Sequence, residues 1–189
     1  MRDRKLASGD EKSAPDGPGF AAGIDRLSEV VGWVVAWFTL AMVLITAGIV
    51  IARYGFSAGS VAVQEAVIYL HAMVFMLGAA VTLKRDEHVR VDIFYRKLSP
   101  SARHLVNLLG VLLLLWPACG YILWTSLDYV GASWAANQGA GEGSREAGGL
   151  PYVYLLKTVI PVAMGLLMLQ GLALAARSFV GLRHAKSNP

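Results

Sequence analysis

A single cysteine stands in the 189 residues. That excludes an intramolecular disulfide, and Cys119 has no companion ligands for a metal. It lies in an apolar stretch and reads as a small buried side chain. Charge is scarce too. Asp, Glu, Lys and Arg make up 16% of the chain, against about 25% in soluble domains, while apolar residues reach 56%. Two long apolar stretches, Val30–Ala52 and Leu105–Leu127, contain no charged residue. No hydrolase, phosphate-binding or metal-binding motif is found. The first 28 residues are polar, with Gly and Pro, and lack the apolar core of a secretory signal. No cleavable leader is expected, and the first apolar block reads as an uncleaved span.

What is there is apolar in four blocks, at about 30–52, 61–83, 105–127 and 152–176. Each approaches the ~20 residues that a helix needs to cross ~30 Å of hydrocarbon. The fold class expected is an all-α integral membrane protein with four transmembrane helices. Its membrane domain would cover 23–180, between a disordered tail at 1–22 and a short tail at 181–189. Lys and Arg outside the blocks number five, one, six, one and three along the successive segments. The positive-inside rule therefore puts both termini and the second loop in the cytoplasm. The formal net charge of +4 sits beside the spans, so it reports topology and not a nucleic-acid partner. Trp124, Tyr129, Trp134, Tyr152 and Tyr154 suit an interfacial belt on the outer side. Pro117 should kink the third span unless a neighbour satisfies the carbonyl it frees. The segment 22–31 sets Ile24, Leu27 and Val31 against Asp25, Arg26 and Glu29. It reads equally as a short amphipathic interfacial helix or as the solvated first turns of span 1.

Polar residues inside apolar blocks are the informative ones, because each costs free energy in hydrocarbon. Glu65 and Lys157 lie at similar depth near the outer edge, so a Glu65–Lys157 contact is the favoured pairing. The alternative is that Lys157 snorkels alone to the interface. Gln64, His71 and Gly78 are spaced by seven and share a helical face, which reads as a packing face with polar glue. A proton relay is the sharper reading of His71, but spans 1 and 3 supply no charged partner for it. Haem would need paired histidines at one depth. His88, His104 and His184 do not share the depth of His71, so no cofactor is expected. The second loop, Lys84-Arg85-Asp86-Glu87-His88-Val89-Arg90-Val91-Asp92, reads either as a solvated charge cluster or as a packed turn. In the packed turn Arg90 would pair with Asp92. The third loop is rich in Gly and small residues.

The run Gln64-Glu65-Ala66-Val67-Ile68-Tyr69-Leu70-His71, then Phe75-Met76-Leu77-Gly78-Ala79-Ala80, then His88-Val89-Arg90-Val91-Asp92 resembles the small membrane subunit of TRAP (tripartite ATP-independent periplasmic) transporters, the DctQ type. Arg53-Tyr54-Gly55-Phe56 is similar to that family's Arg-Tyr-x-Phe turn. The family's Trp-Glu-Glu is here Val63-Gln64-Glu65, with an amide in place of the first acid. Gln-Glu followed by Tyr-Leu-His, together with Ser144–Pro151 and Leu155-Leu156-Lys157, resembles the branch labelled mannitol/chloroaromatic. Residues 137–141 add length with no counterpart in the pattern. The resemblance implies a non-enzymatic subunit of the bacterial inner membrane. It would pack as a scaffold against a large permease subunit that moves solute and sodium ions, fed by a periplasmic solute-binding protein. Glu65 would then support the fold or subunit contacts, and Arg85 to Asp92 would meet the large subunit or anionic lipid heads. Two other classes stay open on the residues alone. One is a self-contained proton-coupled exporter using Glu65. The other is the membrane anchor of a redox complex.

Overall fold

The computed structural model describes residues 19–85 and 98–187, with side chains as far as 184. His88, Arg90, Asp92 and most of the expected N-terminal tail lie outside the described residues. The elements are α1 (Gly19–Phe56), α2 (Val61–Lys84), α3 (Pro100–Gly110), α4 (Trp116–Ala135) and α5 (Val153–Ser187). A π-helical stretch, Val111–Leu115, fuses α3 to α4, so the chain makes four helical rods long and apolar enough to cross a membrane. No strand occurs among the described residues. This is an all-α, multi-pass membrane protein.

The rods run up and down. One end of the bundle, the loop end, carries the α1–α2 turn and the α4–α5 loop. The other, the terminal end, carries the start of α1, the end of α2, the start of α3 and the finish of α5. α1, with 38 residues, is about 57 Å long, far more than the ~30 Å of hydrocarbon. It stops where Ser57 takes φ 51° and the Ala58 N–H returns to the Ala52 carbonyl at 3.0 Å. α3 starts on a Ser99 cap whose hydroxyl accepts from the Ala102 N–H at 3.3 Å, with Pro100 in the first turn. Segment 22–31 is helical and runs without a break into the first span. Its polar side divides: Arg26 and Glu29 are exposed, whereas Ser28 is buried and Asp25 meets side chains of α5.

Pro117 has no N–H to give the Leu113 carbonyl. The structure widens the helix over Val111–Leu115 just before it, a common way of absorbing an interrupted ladder. α5 carries a second proline, Pro161, which the sequence reading passed over.

The interior is built from small residues. Ala80, Val111, Cys119, Ala163, Ala173, Ala175, Ser126 and Ser178 are buried, while Trp33, Phe75, Leu114, Tyr121 and Trp124 are more than half exposed. That inverts the arrangement of a soluble core. In lipid there is no gain in hiding Leu or Trp, and close helix approach through small side chains holds the rods together. α5 is the hub, packing against α1, α2, α3 and α4. Gly171 allows a close approach: a Cβ there would stand 2.6 Å from Leu115 Cδ2. The Trp116 indole, lying over this contact, donates to the Met168 carbonyl at 3.3 Å. Between α1 and α2, Gly32 faces Val81 and Gly78 faces Val35.

Candidate functional site

The polar side chains gather at the two ends of the bundle. At the terminal end, Asp25 of α1 meets Arg177 of α5 at 2.7 Å. The Gln170 amide of α5 donates to Asp25 Oδ1 at 3.1 Å and accepts from the Ser28 hydroxyl at 2.8 Å. Lys84, at the end of α2, donates to the Asp25 carbonyl at 3.1 Å and to Glu29 at 2.5 Å. α1 and α5 are thereby tied through one carboxylate and one amide, and Lys84 adds α2 through the Asp25 backbone carbonyl and the Glu29 carboxylate. Gln170 is 0% exposed, and its amide nitrogen and its carbonyl oxygen each have a partner of matching sense.

At the loop end the α4–α5 loop folds back over the bundle. Its backbone is pinned by the Glu142 N–H to the Ser133 carbonyl and the Ser144 N–H to the Leu150 carbonyl, each 2.9 Å. Gly141 has φ +87° with the Tyr154 ring packed on it. A side chain there would face both a left-handed backbone and an aromatic wall. Glu65 of α2 accepts from the Ser144 hydroxyl and from the Leu150 N–H, the latter at 2.7 Å. Lys157 of α5 pairs with Glu142 of the loop and sits 4.1 Å over the Tyr129 ring. The Ser133 hydroxyl also donates to Glu142, at 2.7 Å. Hydrogen bonds from Lys157 and Ser133, with the positive charges of Lys157 and Arg145, hold the Glu142 carboxyl below the usual range against a smaller opposing effect of burial.

The expected Glu65–Lys157 contact is therefore replaced by two separate ones. Both charges lie at the loop end, but the returning loop delivers a carboxylate to one and a hydroxyl plus an N–H to the other. Counting charges inside the spans alone left Glu142 and Ser144 out of consideration. The seven-spaced trio on α2 also divides. Gly78 faces α1, whereas Gln64 and His71 point outward from the bundle and are exposed. They do not glue these four helices together. Arg85 is exposed just beyond α2. Asp25, Ser28, Gln170 and Arg177 were missed as a group. The signal for them was Gln170, an amide in the fourth apolar block beyond Lys157.

The family model for the DctQ component of the tripartite ATP-independent periplasmic transporters matches residues 41–181. The chain belongs to this family. It is a transporter component and not an enzyme. No curated protein matches it. In this DctQ chain the match takes in Glu65, the α4–α5 loop, Lys157, Gln170 and Arg177. It starts after Asp25 and Ser28. The loop-end cluster thus lies wholly inside the matched region, and the terminal-end cluster joins α5 to a part of α1 outside it.

Proposed function

We propose that this chain is the scaffold subunit of a TRAP-type secondary transporter in the bacterial inner membrane, with both termini cytoplasmic. A large permease subunit moves the solute, a small organic acid or related compound, on an ion gradient, and a periplasmic solute-binding protein delivers it. The observation that carries this reading is the direction of the polar groups. Asp25, Gln170, Arg177, Glu65, Glu142 and Lys157 all engage this chain's own helices and loop. They act as fasteners of a frame. Glu65 receives two donors at the bundle's edge, which suits an anchor for the loop better than the carboxylate of an exporter.

Within this reading the membrane domain covers 23–180 between the tails. Arg85, with His88, Arg90 and Asp92, faces the large subunit or anionic lipid at the inner surface. The mannitol/chloroaromatic branch rests on Gln64-Glu65, Tyr69-Leu70-His71 and Ser144–Pro151 alone. Gentle purification of the tagged chain tests the whole. A large polytopic membrane protein should come with it, and the pair with a periplasmic binding protein should take up solute in vesicles. A bare homodimer would favour the exporter, and a haem absorbance band the redox anchor.

A further inference from the structure

α2 carries polar side chains where a lipid-facing helix should carry none. Its outward stripe is Gln64, Ile68, His71 and Phe75, at i, i+4, i+7 and i+11 spacing. All four are exposed, Ile68 by 59% and Phe75 by 76%. His71 lies about 15 Å along the helix from Val61, near the middle of its 24 residues. The outward threonine hydroxyls of the spans are satisfied by their own helix. The Thr39 hydroxyl donates to the Val35 carbonyl at 3.0 Å, Thr46 to Met42 at 2.7 Å and Thr125 to Tyr121 at 3.0 Å. The Gln64 amide and the His71 imidazole have no such bond among the described residues. Unpartnered polar groups facing hydrocarbon are costly, and ionisable side chains in spans almost always face protein or water.

Resting on the scaffold reading, we infer that the Gln64–Ile68–His71–Phe75 stripe is the seat of a helix of the large permease subunit. That helix presents a hydrogen-bonding group at the depth of His71. Acyl chains offer no such group. A groove of ≈ 410 Å³ at the loop end between α1 and α2, lined by Ile45, Gly48, Ile49, Ala52, Gly59 and Val63, continues the surface beside Gln64 and takes an apolar side chain. A two-fold dimer on this face would bring the same patch of a second copy against it. That would set His71 against the second copy's His71 at one depth; the scaffold reading assigns the seat to the large subunit instead, and a second copy is an outcome of the test.

The test uses the complete tagged chain co-expressed with the large subunit. His71→Leu should leave the thermal melting of this chain unchanged or raised and lower the recovered large subunit about tenfold, the loss of one or two interhelical hydrogen bonds. Gly48→Leu builds into open space, since a Cβ there meets nothing within 4 Å. It should fold normally and lower recovery as well. A photo-crosslinker at Phe75 should capture the large subunit, whereas one at Tyr121, on the outward side of α4, should not. Recovery at wild-type levels with His71→Leu would overturn the inference and leave the scaffold reading standing. Capture of a second copy, or of lipid alone, from position 75 would do the same. Failure of the wild-type chain to bring down any large subunit would overturn both.

Discussion

Replacing Gln170 by leucine isolates what the terminal-end cluster contributes. Leucine keeps most of the side-chain volume, so little cavity opens and the lost hydrogen bonds dominate. Two are lost, from Ser28 at 2.8 Å and to Asp25 at 3.1 Å. Interhelical hydrogen bonds in membrane proteins average about 0.6 kcal/mol, which sets a floor near 1 kcal/mol for the pair. The Ser28 hydroxyl, 3% exposed, is then left without its acceptor at a further cost of about 1–3 kcal/mol. A total of about 2–4 kcal/mol follows. At the roughly 2–4 °C per kcal/mol typical of soluble proteins of this size, the melting midpoint should fall by about 4–16 °C. Cys119 provides the assay: it is the only cysteine, it is 5% exposed on α4, and a thiol-reactive dye reports its release as the bundle opens. Ser28→Ala added to the Gln170→Leu variant should restore about 1–3 kcal/mol, because it removes the hydroxyl left without an acceptor. A Gln170→Leu midpoint within 1 °C of wild type would refute the reasoning.

Three further outcomes follow from the packing and the loop. Gly171→Ala should destabilise by about 1–3 kcal/mol through overpacking against Leu115. Gly165→Ala, where a Cβ meets nothing within 4 Å, should stabilise by up to about 1 kcal/mol through helix propensity; both are read by the same melt. The Glu142 carboxyl has a lowered pKa, so the contribution of its ion pair is fully present above the ordinary value of 4.5 and is lost as pH falls through the folded value. An acid-active protease such as pepsin should therefore cut the α4–α5 loop increasingly as the pH falls below 4.5, and Glu142→Gln should be cut at every pH tested with a weaker pH dependence. Glu65→Ala removes the acceptor for both Ser144 and Leu150. It should loosen the same loop and lower subunit assembly or solute uptake, whereas wild-type values of both would show that Glu65 anchors nothing of consequence.

The four rods and their connections were legible because block length and Lys/Arg spacing are local properties of the chain. The partners of the polar groups were not, because they are set by how the α4–α5 loop returns and by which side of each helix faces α5. Lys157 was visible as an anomaly in an apolar block, but its partner Glu142 sits in a loop that looked merely Gly-rich. Asp25 looked solvated because its ligands, Gln170 and Arg177, come from the far end of the chain. His71 stood out as a polar residue in an apolar block, but the packing role expected for it is not made within these four helices. The face it shares with Gln64 could not be assigned inward or outward without knowing that α1 packs on α2 at Val81 and Gly78.

Both clusters also impose an order on synthesis. Glu65 is made 79 residues before Ser144, and Asp25 is made 152 residues before Arg177. At about 5–20 residues per second, Asp25 waits roughly 8–30 s for its arginine. Until α5 is inserted, the first three rods carry unanswered carboxylates at both ends and lack the hub on which each of them packs. α5, made after the other three rods, is thus the helix that latches the bundle, and a chain truncated before it carries open hydrogen-bonding groups by which a quality-control protease can tell it from the finished subunit.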